Sequence, residues 1–378
     1  MGIMRRNFFS KLGVLLGSKP DSLDGTNMPE LSVAEQRLPF ENSVKKAYDF
    51  ISPDTGDLDV QNILLRRIAN TAAFQRLRDI RFLGALDYLL KPQPNGKTSN
   101  QRFTRYQHSI GVAALAKLYL QESYEHELDQ SLCLASALLH DIGHPPLSHT
   151  IEQIFEEYFG INHHIATIDA ILGNNGHSSE IADLLSRSGV NPQSVADVLN
   201  GHGKDFNGFF RGPINFDTIE GILRSRQYFK MQTLGLSPDR VVKAAFHREF
   251  PGSASTVDAF WQCKDDIYFT VIRSPNGVFF DALFQGITRS LIESGDLTVD
   301  YFQRSESVLF KNFDLYRRAL DPSNWAHLAK DHLPPALSYQ QRRFYVDKSI
   351  PFSVESDRAR YKQSKQSATL ALDATKLS

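Results

Sequence analysis

The chain has 378 residues, of which 41% are hydrophobic and 22% charged, a composition that excludes collagen-like, coiled-coil and disordered classes. Its 42 Lys+Arg against 43 Asp+Glu leave a net charge of -1, so no global positive field draws it to nucleic acid or anionic lipid. The two cysteines, Cys133 and Cys263, have no CxxC partner and point to a reducing compartment, with a cytoplasmic location expected.

The N-terminal MGIMRRNFFSKLGVLLGSKP joins a basic start to a short, Gly-interrupted apolar run. That run is too brief for a signal peptide, so residues 1–40 read as a flexible segment whose alternative is a weak amphipathic membrane contact. No window has the roughly 18 apolar residues that a spanning helix needs.

From about residue 41, apolar residues recur at spacings of three and four: Ile63, Leu64 and Ile68, then Ala72, Phe74, Leu77 and Ile80, then Leu132, Leu134, Leu138 and Leu139. The expected class is mainly α. Strand-like alternation is confined to Phe103–Tyr106, Gly277–Phe280 and Arg343–Val346, which allows one or two small hairpins. Turn-rich stretches at 91–101, 173–177, 201–208 and 247–255 mark loops. These divide the chain into a helical core over 41–230, a helical C-terminal lobe over 231–350 and a loosely docked tail over 351–378.

Histidine is concentrated in one place. Five of the twelve, His140, His144, His149, His163 and His164, fall between positions 140 and 164. In ALLHDIGHPPLSHTIE an apolar helix ends at His140-Asp141, Gly143 permits a sharp turn, and Pro145-Pro146 stops the helix from continuing. Neighbouring residues on a helix point about 100° apart, so a lone His-Asp pair chelates poorly without partners from other helices. His108, opening HSIGVAALAKLYL, and Asp217, opening DTIEGILRS, each start an apolar-periodic helix and supply such partners. Two histidines and two aspartates suit one divalent ion among Mn, Fe, Co, Ni, Mg and Zn. Such an ion lowers the pKa of a bound water to about 7 and makes hydrolysis the natural reaction.

The ordered set Arg105-Tyr106-Gln107-His108, then His140-Asp141-Ile142-Gly143-His144, then Asp217, resembles the H…HD…D signature of HD-domain phosphohydrolases. Within that superfamily it is most similar to the deoxynucleoside triphosphate triphosphohydrolase branch. The resemblance runs from FQRLRDIRFLG through RYQHSIGV, HDIGHPPLSH and NHHIATI to FDTIEGILRS. It implies an HD-domain helical core, with His108, His140, Asp141 and Asp217 as metal ligands and Arg105 holding phosphate beside the metal. It further implies that His149, supported by Glu152 and His163, protonates the leaving oxygen, and that His144 contacts phosphate. The implied activity is hydrolysis of a phosphoester or phosphoanhydride in a nucleotide or other phosphorylated small molecule, by a water that the metal activates. Alternatives are release of triphosphate from deoxynucleotides, and a nucleotide-sensing protein that retains the metal pocket. A homo-oligomer is expected from the same resemblance, and stable nucleic-acid binding is not.

Against the branch pattern, Phe82 stands in place of a sugar-reading Gln, Thr218 in place of a phosphate-binding Lys, and Gly221 and Ser225 in place of a Tyr and an Asp near the ribose. Loss of such polar partners implies a different or less demanding substrate. Arg76, Arg78, Arg224 and Arg226 are expected on solvated or salt-bridged helix faces, and His177 and His202 in solvent. The 26 Phe and 13 Tyr read as core and interface material.

Overall fold

The computed structural model describes residues 60–89, 103–122, 129–174, 176, 178–202, 210, 212–229, 231–232, 235–249, 251–353 and 355–372. The expectations for residues 1–40, for the loop at 91–101, for most of the loop at 201–208 and for His177 lie outside these residues. The described residues are mainly helical, as the apolar periodicity implies. No described helix is long and apolar enough to cross a membrane.

Helices α1 (Val60–Ala69), α2 (Arg105–Glu122), α3 (Gln130–Leu139), α4 (His149–Phe159) and α5 (His163–Leu172) come first. They are followed by α6 (Glu180–Arg187), α7 (Pro192–Asn200), α8 (Phe216–Tyr228), α9 (Pro238–Phe246) and α10 (Ser253–Ile267). Then come α11 (Pro275–Glu293), α12 (Glu306–Asn312), α13 (Asp314–Ala319) and α14 (Trp325–His332). Short polar side chains fix several starts: Asp129, Asn162, Asn215 and Ser274 each accept from a backbone N–H in the first turn of α3, α5, α8 and α11.

Two apolar cores result. The first joins α2, α3, α8, α9 and α10, with Leu115, Leu138, Phe216, Val241 and Phe260 fully buried. The second joins α4 to α11 and the helices after it, through Ile151, Phe155, Phe284, Phe302 and Tyr316. Packing therefore runs across residue 230, because α9 and α10 share the core of α2 and α8.

Among the described residues one antiparallel pair, β1 (Ala336–Val346) and β2 (Tyr361–Ala371), runs in register from Ala336 opposite Ala371 to Val346 opposite Tyr361. Residues 343–346 thus lie in a strand as their alternation implies. Tyr361–Ala371 corrects the expectation of a loosely docked tail. Its sequence looks weak because backbone pairing carries the ribbon, while Phe344 and Tyr361 alone wedge against Trp261, each at 5.4 Å between ring centres. Gly277–Phe280 is not a strand. The Ser274 cap and Pro275 in the first turn start α11 there, and helix initiation overrides a four-residue alternation. Near Phe103–Tyr106 only one bridge forms, Arg81 with Thr104, before α2 begins at Arg105.

Phe155 ties α4 to the C-terminal helices, with its ring edge-on to Phe302 at 5.3 Å. Phe155→Ala is expected to cost about 3–5 kcal/mol of stability, read as a lower denaturation midpoint with an unchanged slope in urea.

Candidate metal centre

His108 lies one turn into α2 and is fully buried. Its Nδ1 is 2.5 Å from Glu220 Oε2, and its Nε2 is 3.0 Å from Asp217 Oδ1, 3.3 Å from His140 Nε2 and 3.5 Å from Asp141 Oδ2. His140 ends α3 and donates from Nδ1 to the Ala137 carbonyl at 2.8 Å, which turns its Nε2 towards the same point. Each imidazole is thus held by one nitrogen and offers the other, the arrangement that orients metal-ligating histidines. The four residues expected as ligands are therefore brought together. Asp217, with its side chain half exposed, marks where the group opens outward.

The local sequence makes this approach possible. A Cβ on Gly111 would fall 2.2 Å from Glu220 Oε1, so glycine on α2 is what lets Glu220 reach His108. Gly143 is equally constrained, since its Cβ would fall 2.2 Å from the Thr167 nitrogen, and its own N–H donates to Thr167 Oγ1 at 3.0 Å. The His140–His144 turn therefore rests directly on α5. After the two prolines, Leu147 and Ser148 adopt φ of 57° and 46°, left-handed values unusual outside glycine.

Asp141 joins this group to its surroundings. Its Oδ2 accepts from Arg105 Nη1 at 2.6 Å, and its Oδ1 lies 3.2 Å from His144 Nε2. Arg105 is buried and also donates from Nε to Ser148 Oγ at 2.9 Å, with its guanidinium 5.0 Å over the Phe82 ring. Burial favours the neutral acid, but His140, Arg105 and His144 hold the Asp141 carboxyl well below its usual range. Burial and the Arg105 charge also hold the His144 pKa well below the ordinary histidine value, so its ring is neutral.

The second histidine group centres on Glu152. It accepts from His149 Nδ1 at 2.7 Å, from the His163 N–H at 2.8 Å and from His163 Nδ1. Although burial opposes ionisation, these two imidazoles hold the Glu152 carboxyl far below its ordinary value. His144 stacks on His163 at 4.1 Å and meets His149 edge-on at 4.7 Å. All four residues expected to serve the proton and the phosphate thus meet beside Asp141.

Of the substituted positions, Phe82 and Gly221 form an apolar wall. The Phe82 ring lies 4.5 Å from His108, and a Cβ on Gly221 would sit 3.1 Å from Phe82 Cζ. Ser225 turns its hydroxyl onto the Gly221 carbonyl at 2.7 Å. His202 is exposed, as expected.

Glu220 was not anticipated, although its position one turn beyond Asp217 on the same face of α8 is a usable signal. Its anchor, Arg224, is salt-bridged, one of the two expected arrangements, and is buried: it is 4% exposed, donates from Nε to Glu220 Oε1 at 2.6 Å and reaches the Gln107 carbonyl at 3.2 Å. Arg226 is likewise buried, on the Gln232 carbonyl and Asp266, because these guanidinium groups satisfy backbone and carboxylate acceptors between helices. Arg76 reaches inward too, whereas Arg78 is exposed above the Tyr106 ring.

Residues 105–209 match the family described as HD domain, and the chain carries such a domain. Its similarity also extends to the deoxynucleoside triphosphate triphosphohydrolase SAMHD1 of Xenopus laevis, 35% identical over 126 residues, 32% of this chain and 18% of that protein. The uncharacterized protein MJ1154 of Methanocaldococcus jannaschii is 32% identical over 258 residues, covering 65% of this chain and 53% of its own. The uncharacterized protein YwfO of Bacillus subtilis is 27% identical over 198 residues, 50% and 42% respectively. The chain thus spans about half or less of the length of these relatives.

The donor set fits a divalent cation. Burial alone would lower the His108 pKa, but Glu220, Asp217 and Asp141 raise it to about 9, so a site without metal holds a proton where the carboxylates call for positive charge. Metal loading must expel that proton. Apparent Mn affinity is therefore expected to fall about tenfold per pH unit below about 9, measured by competition titration across pH. Glu220→Gln is expected to weaken Mn binding roughly 10–100-fold in the same titration, with the helical circular dichroism unchanged.

Proposed function

We propose that the chain is a metal-dependent phosphohydrolase acting on a nucleotide-like phosphate. The observation that carries this reading is Asp141, whose Oδ2 lies beside His108, His140 and the buried Arg105 while its Oδ1 faces His144, which stacks on His163 of the histidine–glutamate–histidine group. His108, His140, Asp141 and Asp217 would hold the ion, which when bound supplies Lewis acidity to a phosphoryl oxygen and acidifies water.

The chain's own residues supply the rest. Arg105, fixed by Asp141 and Ser148, presents a planar fork to phosphate oxygens, and neutral His144 donates or accepts one hydrogen bond without adding charge. His149 is the general acid. Its Nδ1 is tied to ionised Glu152 and its side chain is 60% exposed, which leaves Nε2 to carry a proton to the leaving oxygen. His163 holds the other Glu152 oxygen and keeps that carboxylate in place.

A second reading, release of triphosphate from deoxynucleotides, is supported by the likeness to SAMHD1. Phe82, Thr218 and Gly221 argue for a pocket that reads the sugar less closely, so the broader activity is preferred. A homo-oligomer belongs to the same proposal.

The test is release of phosphate, pyrophosphate or triphosphate from a panel of nucleotides and phosphoesters with Mn, Co, Ni or Mg, beside a His140→Ala/Asp141→Ala double variant. Metal-dependent release lost in the variant is the expected result, and the product identifies the bond. Intact triphosphate from deoxynucleotides alone would favour the second reading. Metal binding without turnover of any compound would favour a nucleotide sensor. On a productive substrate, kcat/KM is expected to decline as rising pH deprotonates His149. His149→Ala should remove that alkaline limb and cost roughly 10²–10⁴-fold in kcat; an unchanged limb would sink the assignment.

A further inference from the structure

The segment Arg304–Ser307, leading into α12, comes from the second core and is hydrogen-bonded across the back of the metal centre. Arg76 donates from Nη1 to the Arg304 carbonyl at 3.2 Å and from Nη2 to the Ile142 carbonyl at 2.9 Å. The Ser307 N–H donates to Asp79 Oδ2 at 3.0 Å. Between them Glu306 is buried: its Oε1 accepts from the Arg81 N–H at 2.5 Å and the Leu147 N–H at 3.1 Å, and its Oε2 accepts from the Tyr88 hydroxyl at 2.5 Å.

The two backbone groups joined by Oε1 are those that carry the site's polar frame. Arg81 precedes Phe82, whose ring lies on His108. Leu147 precedes Ser148, whose hydroxyl donates to the Arg81 carbonyl at 2.6 Å and accepts from Arg105 Nε. Positive-φ residues such as Leu147 and Ser148 are strained and persist only where their surroundings over-determine them. The Leu147 N–H, inside that strained pair, has Glu306 as its acceptor, and the carboxylate arrives from 159 residues away.

We infer that Glu306 is a positioning residue for Arg105: by pinning Arg81 and Leu147 to one carboxylate oxygen it fixes Ser148, and Ser148 fixes the direction of the guanidinium beside Asp141. The inference rests on the phosphohydrolase reading only for the phosphate that Arg105 meets. An alanine at 306 leaves two buried backbone donors unpaired and frees the turn. A glutamine keeps the Oε1 acceptor, and the Tyr88 hydroxyl can rotate to accept from its amide.

The experiment compares wild type, Glu306→Ala, Glu306→Gln and Tyr88→Phe, each checked for thermal midpoint and bound Mn. The readouts are the Kd for inorganic tripolyphosphate, the split between KM and kcat on any productive substrate, and hydrogen exchange of residues 142–150 against α3. Glu306→Ala is expected to weaken tripolyphosphate roughly tenfold or more and to raise KM more than it lowers kcat. Exchange should rise at 142–150 but not in α3, with Mn retained. Glu306→Gln should restore both affinity and protection. Wild-type affinity in a folded Glu306→Ala protein, or a general loss of protection that Glu306→Gln fails to restore, overturns the inference. If Glu306→Ala does not fold, Tyr88→Phe decides: a folded protein with faster exchange at 142–150 and a weaker tripolyphosphate Kd supports it, and no change in either overturns it. Absence of turnover in wild type defeats the hydrolytic reading alone, because the binding and exchange comparisons still judge Glu306.

Discussion

The buried carboxylate of Asp141 is the interaction on which the rest of the arrangement depends. An ionised aspartate with 4% exposure is costly unless it is paired and hydrogen-bonded. Here Arg105 meets one oxygen and His144 approaches the other, while His108 and His140 sit within 3.5 Å. The partners come from three elements, so α2, the end of α3 and the turn before α4 are tied to one mutual placement. Gly111 and Gly143 follow from that placement, since each stands where a side chain would collide with an atom the site requires.

The residues expected as ligands stood out in the sequence for a chemical reason. Histidine is scarce, and its crowding after an apolar helix that Gly and Pro bring to an end has few structural explanations. The α2 and α8 partners could be found because each opens a periodic helix. Glu220, Arg224 and Glu306 could not be found in the same way. Glutamate and arginine are common on solvated helix faces, and only the tertiary structure shows that Glu220 backs His108 or that Arg224 is buried against it. The C-terminal ribbon was hidden for a different reason. Residues 361–371 pair through their backbone, and a mostly polar strand has little side-chain signature when only its first residue packs deeply.

The apolar wall bears on selectivity more than on catalysis. Phe82 covers one face of His108, and the glycine at 221 leaves room for that ring rather than adding a polar group beside it. A pocket gains strong discrimination from buried groups left unpaired by the wrong substrate. An aromatic ring and a glycine provide no such penalty. On the proposed function, chemistry at the phosphate and recognition of the remainder of the substrate would be separable: the first would rest on Asp141 and its partners, the second on a surface that imposes few hydrogen-bonding demands.

The helices beyond residue 230 are part of the same machine. Helices α9 and α10 complete the core that holds α2 and α8, so His108 and Asp217 on those two helices are placed partly by residues far along the chain. The second core acts from the opposite side, because α4 carries His149 and Glu152 on its polar face while Ile151 and Phe155 pack towards α11 and Phe302. A shift of α4 relative to α3 would separate His149 from the Asp141 group without disturbing either core internally. The hydrogen bonds of the Arg304–Ser307 segment oppose that movement, since they tie the second core directly to Leu147, and through Arg76 to Ile142, on either side of the Pro145-Pro146 turn. The spacing between the Asp141 group and the His149–Glu152–His163 group therefore depends on contacts between the cores, and sequence-local features alone do not determine it.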